Sequence, residues 1–172
     1  MIQIRCYKYK LPDGRELDVL SEFICEISMW LQISSSAPEA GGYIAGYQHS
    51  RSGTIILETI TIPQPKDKRS RIRCDILDEG HFVFLEQAKH KRSYYMGAWH
   101  THPQSHPTPS CTDWIDWNAT VRANKTSCGY IFFLIAGTES FNIWVGDIRT
   151  KKITKLDECY MERGLYTLIN QN

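Results

Sequence analysis

The sequence YYMGAWHTHP, which runs from Tyr94 to Pro103, predicts a mostly apolar strand that leads into a pair of histidines. Residues two apart in a strand point to the same side, so His100 and His102 direct both imidazoles toward one point while Thr101 faces away. Pro103 cannot donate a hydrogen bond to a continuing strand, and we expect the chain to turn into a loop there. The two imidazoles should therefore lie at an edge of a sheet that is open to solvent.

Asp113 adds a carboxylate eleven residues after His102, in the first turn of a helix predicted over residues 112–123. Two neutral imidazoles and one carboxylate can bind a zinc ion and leave one coordination position open for water, which is typical of catalytic rather than structural zinc. The charge of such a site, about +1, would lower the pKa of that water to about 7. The three residues together indicate a zinc hydrolase.

Two other zinc patterns do not fit this stretch. A metallo-β-lactamase-like site has the pattern H-x-H-x-D-H, but Gln104 and Ser105 stand where Asp and His are required. A base deaminase requires H-x-E followed by P-C-x-x-C, whereas this chain has His-Thr-His and then Pro-Ser-Cys.

Cys111 remains an alternative zinc ligand to Asp113. His106, in the intervening loop, can be read as an additional ligand, a substrate contact or a solvent-facing residue.

Four further residues each have two interpretations. Glu39, in the stretch PEAGG, is a candidate general base, but a glutamate after a proline near a helix end is usually a surface residue. Ser110 begins an S-x-x-D pattern with Asp113, which is typical of a helix capping box, although its hydroxyl could instead stabilise an oxyanion. Trp114 and Trp117 either line a substrate groove or pack in the core beneath the helix. Position alone leaves all of these roles open.

The composition is that of a globular protein with a single domain over residues 1–172. Hydrophobic residues make up 42% and charged residues 23%, and the net charge of +1 does not favour a nucleic-acid or membrane partner. No apolar run approaches the roughly 20 residues of a membrane span, and the first residues do not resemble a secretion signal. The six cysteines contain no CxxC pair, which favours free thiols in a reducing cytoplasm and metal ligands of nitrogen and oxygen.

The pattern of apolar residues predicts an α/β domain with a mixed sheet. Away from the histidines, we expect a strand over residues 2–9, a helix over 19–33, a hairpin of 42–48 and 54–62, a helix over 78–91, and a hairpin of 130–136 and 141–148. In the helix over 78–91, Phe82, Leu85 and Ala88 should share the buried face. Residues after Lys151 fit either a strand or a short helix. The basic stretch 63–73 is expected to be a loop, either mobile and facing an acidic partner or simply solvated.

The order and spacing of the candidate site residues resemble the motif of the JAMM (JAB/MPN) metallopeptidases. The shared elements are the HTHP sequence that begins at His100, the ten residues between His102 and Asp113, and Ser110 three residues before that aspartate. The sequence PEAGGYIAG, residues 38–46, resembles the E-x-G-G-x-x-x-G strand start that carries the family's glutamate. The resemblance covers most of the chain. It implies an α/β fold with a single JAB/MPN-like domain, in which a mixed, curved β-sheet is flanked by helices.

The resemblance also implies a zinc peptidase that acts on isopeptide or peptide bonds at the C-terminus of ubiquitin-like tags. His100, His102 and Asp113 would bind one Zn²⁺ per chain, Glu39 would act as general base and acid, and Ser110 would stabilise the oxyanion. The chain is similar to the prokaryotic JAB group, and within it to the deconjugating peptidases of CBASS anti-phage operons. The implied partner is a protein substrate with an extended C-terminal tail, a ubiquitin-like or cyclic-nucleotide-synthase conjugate, with a functional link to activating and conjugating enzymes.

Two other functions remain open at this point. A JAB peptidase could use the same residues to process the C-terminus of a ubiquitin-like sulfur-carrier protein. A non-catalytic MPN scaffold would instead bind partners through its sheet, but such scaffolds typically lack the ligands or the glutamate, and this chain has all five. For a peptidase, we expect the substrate tail to pair with a strand edge beside the zinc, because backbone pairing tolerates varied side chains.

Overall fold

Eleven strands and three helices are found in residues 6–160, the part of the chain that the computed structural model describes. In chain order they are β1 (Cys6–Lys10), β2 (Glu16–Leu20), α1 (Ser21–Ser28), β3 (Gly41–Gln48), β4 (Ile55–Ile60), β5 (Lys68–Ser70), β6 (Arg73–Asp75), α2 (Gly80–His90), β7 (Tyr94–Thr101), α3 (Cys111–Ala123), β8 (Tyr130–Ala136), β9 (Phe141–Asp147), β10 (Ile153–Lys155) and β11 (Glu158–Tyr160). Nine strands form one sheet in the order β10-β9-β8-β7-β3-β4-β2-β1-β11, and β5 pairs with β6 separately. The pairs β2–β4 and β7–β8 are parallel and the other pairs of the large sheet are antiparallel. The predicted α/β fold with a mixed, curved sheet is confirmed.

The centre of the large sheet joins parts of the chain that are far apart in sequence. Gly41, at the start of β3, lies opposite His100, near the end of β7. On its other side β7 pairs in parallel with β8, where His100 lies opposite Ile135. The end of β7 is therefore flanked by a strand on each side, so the expectation that the histidines lie at an open edge of the sheet is wrong, and their side chains are only 14% and 12% exposed.

Strand β8 shows that the sheet is covered on both faces. All seven of its residues are buried. Phe132 and Leu134 point into the larger core, to which α1 contributes, whereas Ile131 and Phe133 pack in a smaller core with α3. A strand that is buried on both faces carries a continuous apolar sequence rather than an alternating one, and YIFFLIA has this character.

The helix predicted over residues 19–33 is only partly correct. Val19 and Leu20 belong to β2, which pairs with β1 and with β4, and the helix itself is limited to the eight residues of α1. After α1, the backbone N–H groups of Met29 and Trp30 donate to carbonyls three residues earlier, which ends the helix in a tight turn. The strand passes into the helix without a glycine or proline, so the two apolar patterns merge in the sequence.

Both predicted hairpins are confirmed as β3–β4 and β8–β9, and the helices predicted over 78–91 and 112–123 are confirmed as α2 and α3. The first predicted strand corresponds to β1, although residues 2–5 lie outside the described part. Residues after Lys151 contain the strands β10 and β11. Between residues 6 and 160, no helix is both long enough and apolar enough to cross a membrane.

The buried face predicted for α2 is wrong by one residue at its start. His81 and Ala88 are buried, whereas Phe82 is 59% exposed. Apolar periodicity cannot find this face, because its first member is a histidine whose burial depends on hydrogen bonds to other elements. The loop predicted over residues 63–73 is also incorrect, since this stretch contains β5 and the start of β6.

Candidate active site

His100 and His102 lie at the end of β7 with their Nε2 atoms 3.1 Å apart. Thr101, between them, faces the other side and is fully buried. Its hydroxyl donates to Gln32 Oε1 over 3.1 Å and accepts a hydrogen bond from Ala40 N over 2.9 Å. Strand alternation thus places both imidazoles on one side, as the sequence predicts.

The loop after β7 orients His102. The backbone N–H of His102 donates to Ala136 O over 2.9 Å, and His102 Nδ1 lies 3.4 Å from Gln104 Oε1. Gln104 Oε1 also accepts a hydrogen bond from Thr108 N over 2.9 Å. An acceptor beside Nδ1 favours the tautomer that carries its proton there, which leaves the Nε2 lone pair available to a metal ion.

Asp113 approaches both histidines from the first turn of α3. Its Oδ1 is 3.1 Å from His100 Nε2, and its Oδ2 is 3.4 Å from His102 Nε2. Burial acts to raise the pKa of Asp113, but hydrogen bonds from the two histidines hold that pKa well below its usual range. Burial lowers the pKa of His102, but contact with Asp113 outweighs this effect and raises it. Asp113 is therefore a carboxylate anion directed at the histidine pair.

Ser110 is the N-cap of α3 and forms the capping box that its sequence pattern predicts. Its side chain accepts a hydrogen bond from Asp113 N over 3.1 Å, while Asp113 Oδ2 accepts from Ser110 N over 2.6 Å and from Ser110 Oγ over 2.7 Å. The cap fixes the carboxylate of Asp113 in its position near the histidines. The hydroxyl is exposed to solvent beside the site, and its role at an oxyanion stays a prediction.

Glu39 lies just before β3 and is only 7% exposed. Its backbone N–H donates to Ser70 O over 2.7 Å, and its carbonyl accepts from Arg69 Nε over 2.8 Å. The potential ligand atoms of Glu39, His100 and His102 lie within 4.8 Å of one another. Burial raises the pKa of Glu39, and the two histidines oppose this effect only in part. A buried carboxyl group of raised pKa beside candidate metal ligands is well suited to proton transfer.

The sequence from residue 30 to residue 147 matches the family described as prokaryotic homologs of the JAB domain. The chain belongs to this family. Three relatives of this JAB protein each carry the name CD-NTase/cGAS isopeptidase. The Vibrio cholerae protein is 28% identical over 139 residues, which cover 79% of this chain and 84% of the relative. The Escherichia coli protein is 28% identical over 141 residues, 80% of this chain and 85% of the relative. The Pseudomonas aeruginosa protein is 35% identical over 91 residues, 51% of this chain and 56% of the relative.

A solved structure has a similar fold. The solution structure of a protein from Desulfitobacterium hafniense superposes with a TM-score of 0.52, covering 81% of this chain and 87% of that protein. The two sequences are 14% identical, so this likeness concerns the fold alone.

The ligand set of this JAB domain fits a zinc ion. In a tetrahedral site with bonds of about 2.0–2.1 Å, neighbouring ligand atoms are about 3.3 Å apart. The two Nε2 atoms are 3.1 Å apart, His100 Nε2 is 3.1 Å from Asp113 Oδ1, and His102 Nε2 is 3.4 Å from Asp113 Oδ2. Two imidazoles and one carboxylate also form a ligand set that leaves a position open for water. The chemistry and the spacing of His100, His102 and Asp113 therefore suit a zinc ion.

A cavity of about 790 Å³ opens onto these residues. One wall is formed by α3, which contributes Thr112, Asp116 and Thr120, and the opposite wall by the chain from Ile72 to Leu77, which includes β6. Glu39, the histidines and Asp113 all line the cavity. A substrate bound in this cavity would therefore lie beside the candidate metal ligands.

Trp117 packs in the core and also borders the cavity. Its ring stacks on Phe133 with centroids 4.7 Å apart and an interplanar angle of 14°, and it lies 5.3 Å from the Trp144 ring. It is also 6.4 Å from the His100 ring. Trp114 is 38% exposed and contacts Trp117 edge-on. Of the two interpretations for these residues, core packing accounts for the position of Trp117.

The sequence does not predict the contacts that the surrounding residues make with Glu39. Arg69 and Ser70 hold its backbone, and Arg73 and Cys74 line the cavity. Burial, with a smaller effect of the Glu39 charge, raises the pKa of the Cys74 thiol to about 12, so this thiol stays protonated. These contacts involve backbone atoms of Glu39, so the type of that residue does not predict them. The basic character of residues 63–73 is the only sequence signal of a role for this stretch.

The two alternative ligands are not part of the cluster. Among residues 6–160, the group of mutually close potential ligand atoms is Glu39, His100 and His102, without a cysteine. Cys111 is exposed at the start of α3, whereas Asp113 contacts both histidines. His106 is exposed as well, and its Nδ1 lies 2.9 Å from Ser140 Oγ. His106 therefore contacts the turn between β8 and β9, which supports its reading as a loop residue.

Proposed function

We propose that this protein is a zinc-dependent isopeptidase that cleaves the bond after the C-terminus of a ubiquitin-like or cyclic-nucleotide-synthase tag. The observation that carries the proposal is the convergence of Glu39 and the three ligands His100, His102 and Asp113 at one cavity. The isopeptidase name shared by three relatives supports the reaction type. In this proposal the enzyme reverses conjugation in CBASS anti-phage defence.

His100, His102 and Asp113 would hold one zinc ion per chain. Bound there, zinc supplies Lewis acidity that polarises a carbonyl oxygen and lowers the pKa of water. Glu39 acts as general base, taking a proton from the attacking water on its carboxylate, and then as general acid toward the leaving amine. Its burial raises its pKa, which makes it a better proton acceptor than an exposed glutamate.

Ser110 is assigned to the oxyanion. In the structure its hydroxyl donates to Asp113 Oδ2 over 2.7 Å. Once a positive ion holds Asp113, the carboxylate has less need of that donor, and the exposed hydroxyl can rotate toward the developing negative charge. Ser110→Ala should therefore lower kcat more than it raises KM.

We also propose that the substrate tail pairs with β6. This strand pairs with β5 along one edge only, among the strands that the structure describes, and its residues line the cavity. Backbone pairing there would hold an extended tail while accepting varied side chains. Proline at tail positions whose amides pair should sharply reduce cleavage. Unchanged rates with such tails would exclude strand addition.

The cellular setting is part of the same proposal. Among the described residues, Cys25, Cys74, Cys111 and Cys128 have free thiols, which is typical of a reducing compartment. We assign the enzyme to the cytoplasm, where activating and conjugating enzymes would supply its substrate. We treat residues 1–172 as one catalytic domain.

The test combines metal content with cleavage of a cyclic-nucleotide synthase fused through its C-terminal tail to a second protein. We expect about one zinc per chain, cleavage by the wild type, and cleavage by Glu39→Ala that is slower by at least about 100-fold. A sulfur-carrier precursor is the second substrate in the same assay. Zinc binding with cleavage of this precursor, but not of the synthase fusion, would favour the sulfur-carrier function. Absence of both zinc and cleavage in metal-replete protein would contradict an enzymatic role and favour a scaffold.

A further inference from the structure

A buried polar cluster lies outside the candidate active site, between the chain that follows β4 and the first turn of α2. It consists of Thr61, Asp67 and His81, and the side chains of Asp67 and His81 have no exposed surface. His81 Nε2 lies 2.8 Å from Asp67 Oδ2, and His81 Nδ1 lies 2.6 Å from Thr61 Oγ1. The order of hydroxyl, imidazole and carboxylate is that of a hydrolytic triad, but no substrate can reach it. The cluster must therefore act within the protein.

Asp67 accepts four hydrogen bonds. Its Oδ2 accepts from Gln64 N over 2.7 Å and from the His81 ring, and its Oδ1 accepts from Leu77 N over 2.9 Å and from Asp78 N over 3.0 Å. A carboxylate has about four acceptor sites, so the side chain is saturated. Such complete satisfaction is required of a buried charged group, and the loss of any one donor is costly.

The protons of the cluster follow from this arrangement. Asp67 can only accept, so His81 Nε2 carries a hydrogen, and Nδ1 of a neutral ring then accepts from the Thr61 hydroxyl. Thr61 Oγ1 in turn accepts from Tyr43 N over 2.8 Å, and Thr61 O accepts from the Trp99 indole over 2.9 Å. The network therefore runs from Asp67 to β3 and β7, the two strands beside the candidate site.

Asp67 closes residues 64–78 into a loop. Its backbone donors lie at both ends of this segment, with Gln64 at the start and Leu77 and Asp78 at the end. The hairpin β5–β6 lies in the middle, where Ile72 is 85% exposed. Leu77 is also exposed, at 53%, so the segment depends on hydrogen bonds more than on core packing for its position.

The same segment holds the general base. Arg69 and Ser70, both in the part of the loop that Asp67 closes, bond to the carbonyl and the N–H of Glu39. We propose that Asp67 and His81 are positioning residues of the isopeptidase, which fix the β5–β6 segment so that it holds Glu39 in place. This inference rests on the proposed function. It assigns to two buried residues an effect on turnover without contact with the substrate.

The first test is Asp67→Asn in the zinc-loaded full chain. The new amide group would face N–H donors where the carboxylate accepted them, so the loop should lose its closure. We expect kcat to fall about 10- to 100-fold, the size of effect produced by a displacement of about 1 Å in a catalytic group, with zinc content at the wild-type level. An unchanged kcat would overturn the proposal.

Asp147→Asn is the matched control. Asp147 also closes a turn by accepting two backbone hydrogen bonds, from Arg149 N over 2.7 Å and Thr150 N over 3.0 Å. It does not line the cavity, so kcat should stay at the wild-type value. His81→Asn, which leaves Asp67 one donor short, provides a second variant in case Asp67→Asn does not fold.

A double-mutant cycle separates positioning from general loss of structure. If Asp67 acts through Glu39, Asp67→Asn should lower kcat in the wild type but have no further effect on the residual activity of Glu39→Gln. Equal losses in both backgrounds would show that Asp67 has only a structural role.

Hydrogen exchange supplies a readout that does not depend on activity. In both metal-free and zinc-loaded protein, Asp67→Asn should speed exchange at the Glu39 and Leu77 amides while leaving β8 protected. Continued protection of the Glu39 amide would overturn the proposal. If the wild type itself cleaves no conjugate, the proposed function fails, but the exchange result still decides whether Asp67 holds Glu39.

Discussion

The two walls of the cavity are built by different physical means. On the metal-binding side, three candidate ligands come from a short stretch of chain at the end of β7 and the start of α3, supported by the stack of Trp117 on Phe133. On the opposite side, Glu39 is held by a distant segment that is itself fixed by buried hydrogen bonds to Asp67. Apolar packing does not depend on protonation, whereas a buried polar network fails when one partner is lost. The metal site should therefore survive changes that disable the base, but the base should be of no use without the metal site.

The largest effects should come from changing one group on each side. His102→Ala removes a ligand, so both bound zinc and turnover should be lost. Glu39→Ala should keep zinc while kcat falls by about 10²- to 10⁴-fold, the usual contribution of a general base. Zinc analysis of both proteins with a parallel cleavage assay checks this pair. Loss of zinc from Glu39→Ala would mean that Glu39, close as it is to both histidines, is a ligand rather than a base.

The next effect concerns the apolar support of the metal-binding wall. Trp117 is 5% exposed and packs on Phe133 and Trp144, so Trp117→Ala should lower the free energy of unfolding by about 3–5 kcal/mol. Trp114→Ala is the control, because Trp114 is 38% exposed and should cost about 1 kcal/mol through its edge contact with Trp117. Urea unfolding of both variants measures the difference. Equal losses would mean that α3 is not anchored through Trp117.

The hydrogen bonds of Asp67 support the side of the cavity that carries Glu39. They should make the stability of the protein depend on pH. Burial acts to raise the pKa of Asp67, but hydrogen bonds from Gln64, His81, Asp78 and Leu77 lower it to about 2, against about 3.9 in an unfolded chain. A depressed folded-state pKa contributes stability that is present above about pH 4 and is lost as pH falls through about 2, here about 2–3 kcal/mol.

Denaturant unfolding at pH 7 and pH 3 tests this dependence. Asp67→Asn should lose stability at pH 7 and show a flatter dependence on pH than the wild type, because it has no carboxyl group to protonate at this position. Parallel pH profiles for the two proteins would contradict the assignment of acid sensitivity to Asp67.

The smallest effect concerns the loop that connects the two histidines to Asp113. A Cβ added at Gly137 would collide with Gln104 O and come within 2.8 Å of Ser105 O, so Gly137→Ala should cost about 1–3 kcal/mol. Displacement of the loop should also weaken zinc binding by about tenfold, as loss of an outer-shell partner does. Gly129→Ala is the control, since its Cβ would meet nothing within 4 Å, although its φ of +81° strains the backbone. Zinc titration should separate the two variants, and equal affinities would exclude steric coupling.

The difference between the two walls also explains which parts of the site can be predicted from the sequence. The direction of His100 and His102 follows from strand alternation, and the cap at Ser110 follows from residue types three positions apart, so local rules were sufficient there. No local rule predicts that Arg69 and Ser70 meet the backbone of Glu39, because those contacts depend on pairing between distant segments. The motif resemblance, rather than periodicity, singled out Glu39.

The elements that were missed have the same origin. β2 is five residues long and runs directly into α1, so its last two residues, Val19 and Leu20, fall within the predicted helix. β5 and β6 are three residues each, too short to show a period, and they lie in a stretch whose charge indicated a loop. His81 is a buried member of α2, together with Ala88, because Asp67 and Thr61 form hydrogen bonds with its ring, which no hydropathy pattern can show.

The register of β7 has a consequence for how this sequence can change in evolution. His100 faces the cavity because it lies opposite Gly41 and Ile135. Deletion of a single residue within β7 would turn both imidazoles into the core and Thr101 toward solvent. The exposed turn at residues 49–52, by contrast, can gain or lose residues without moving any site group. We therefore expect length variation among descendants of this chain to accumulate at that turn, while the spacing from Met96 to His102 stays fixed.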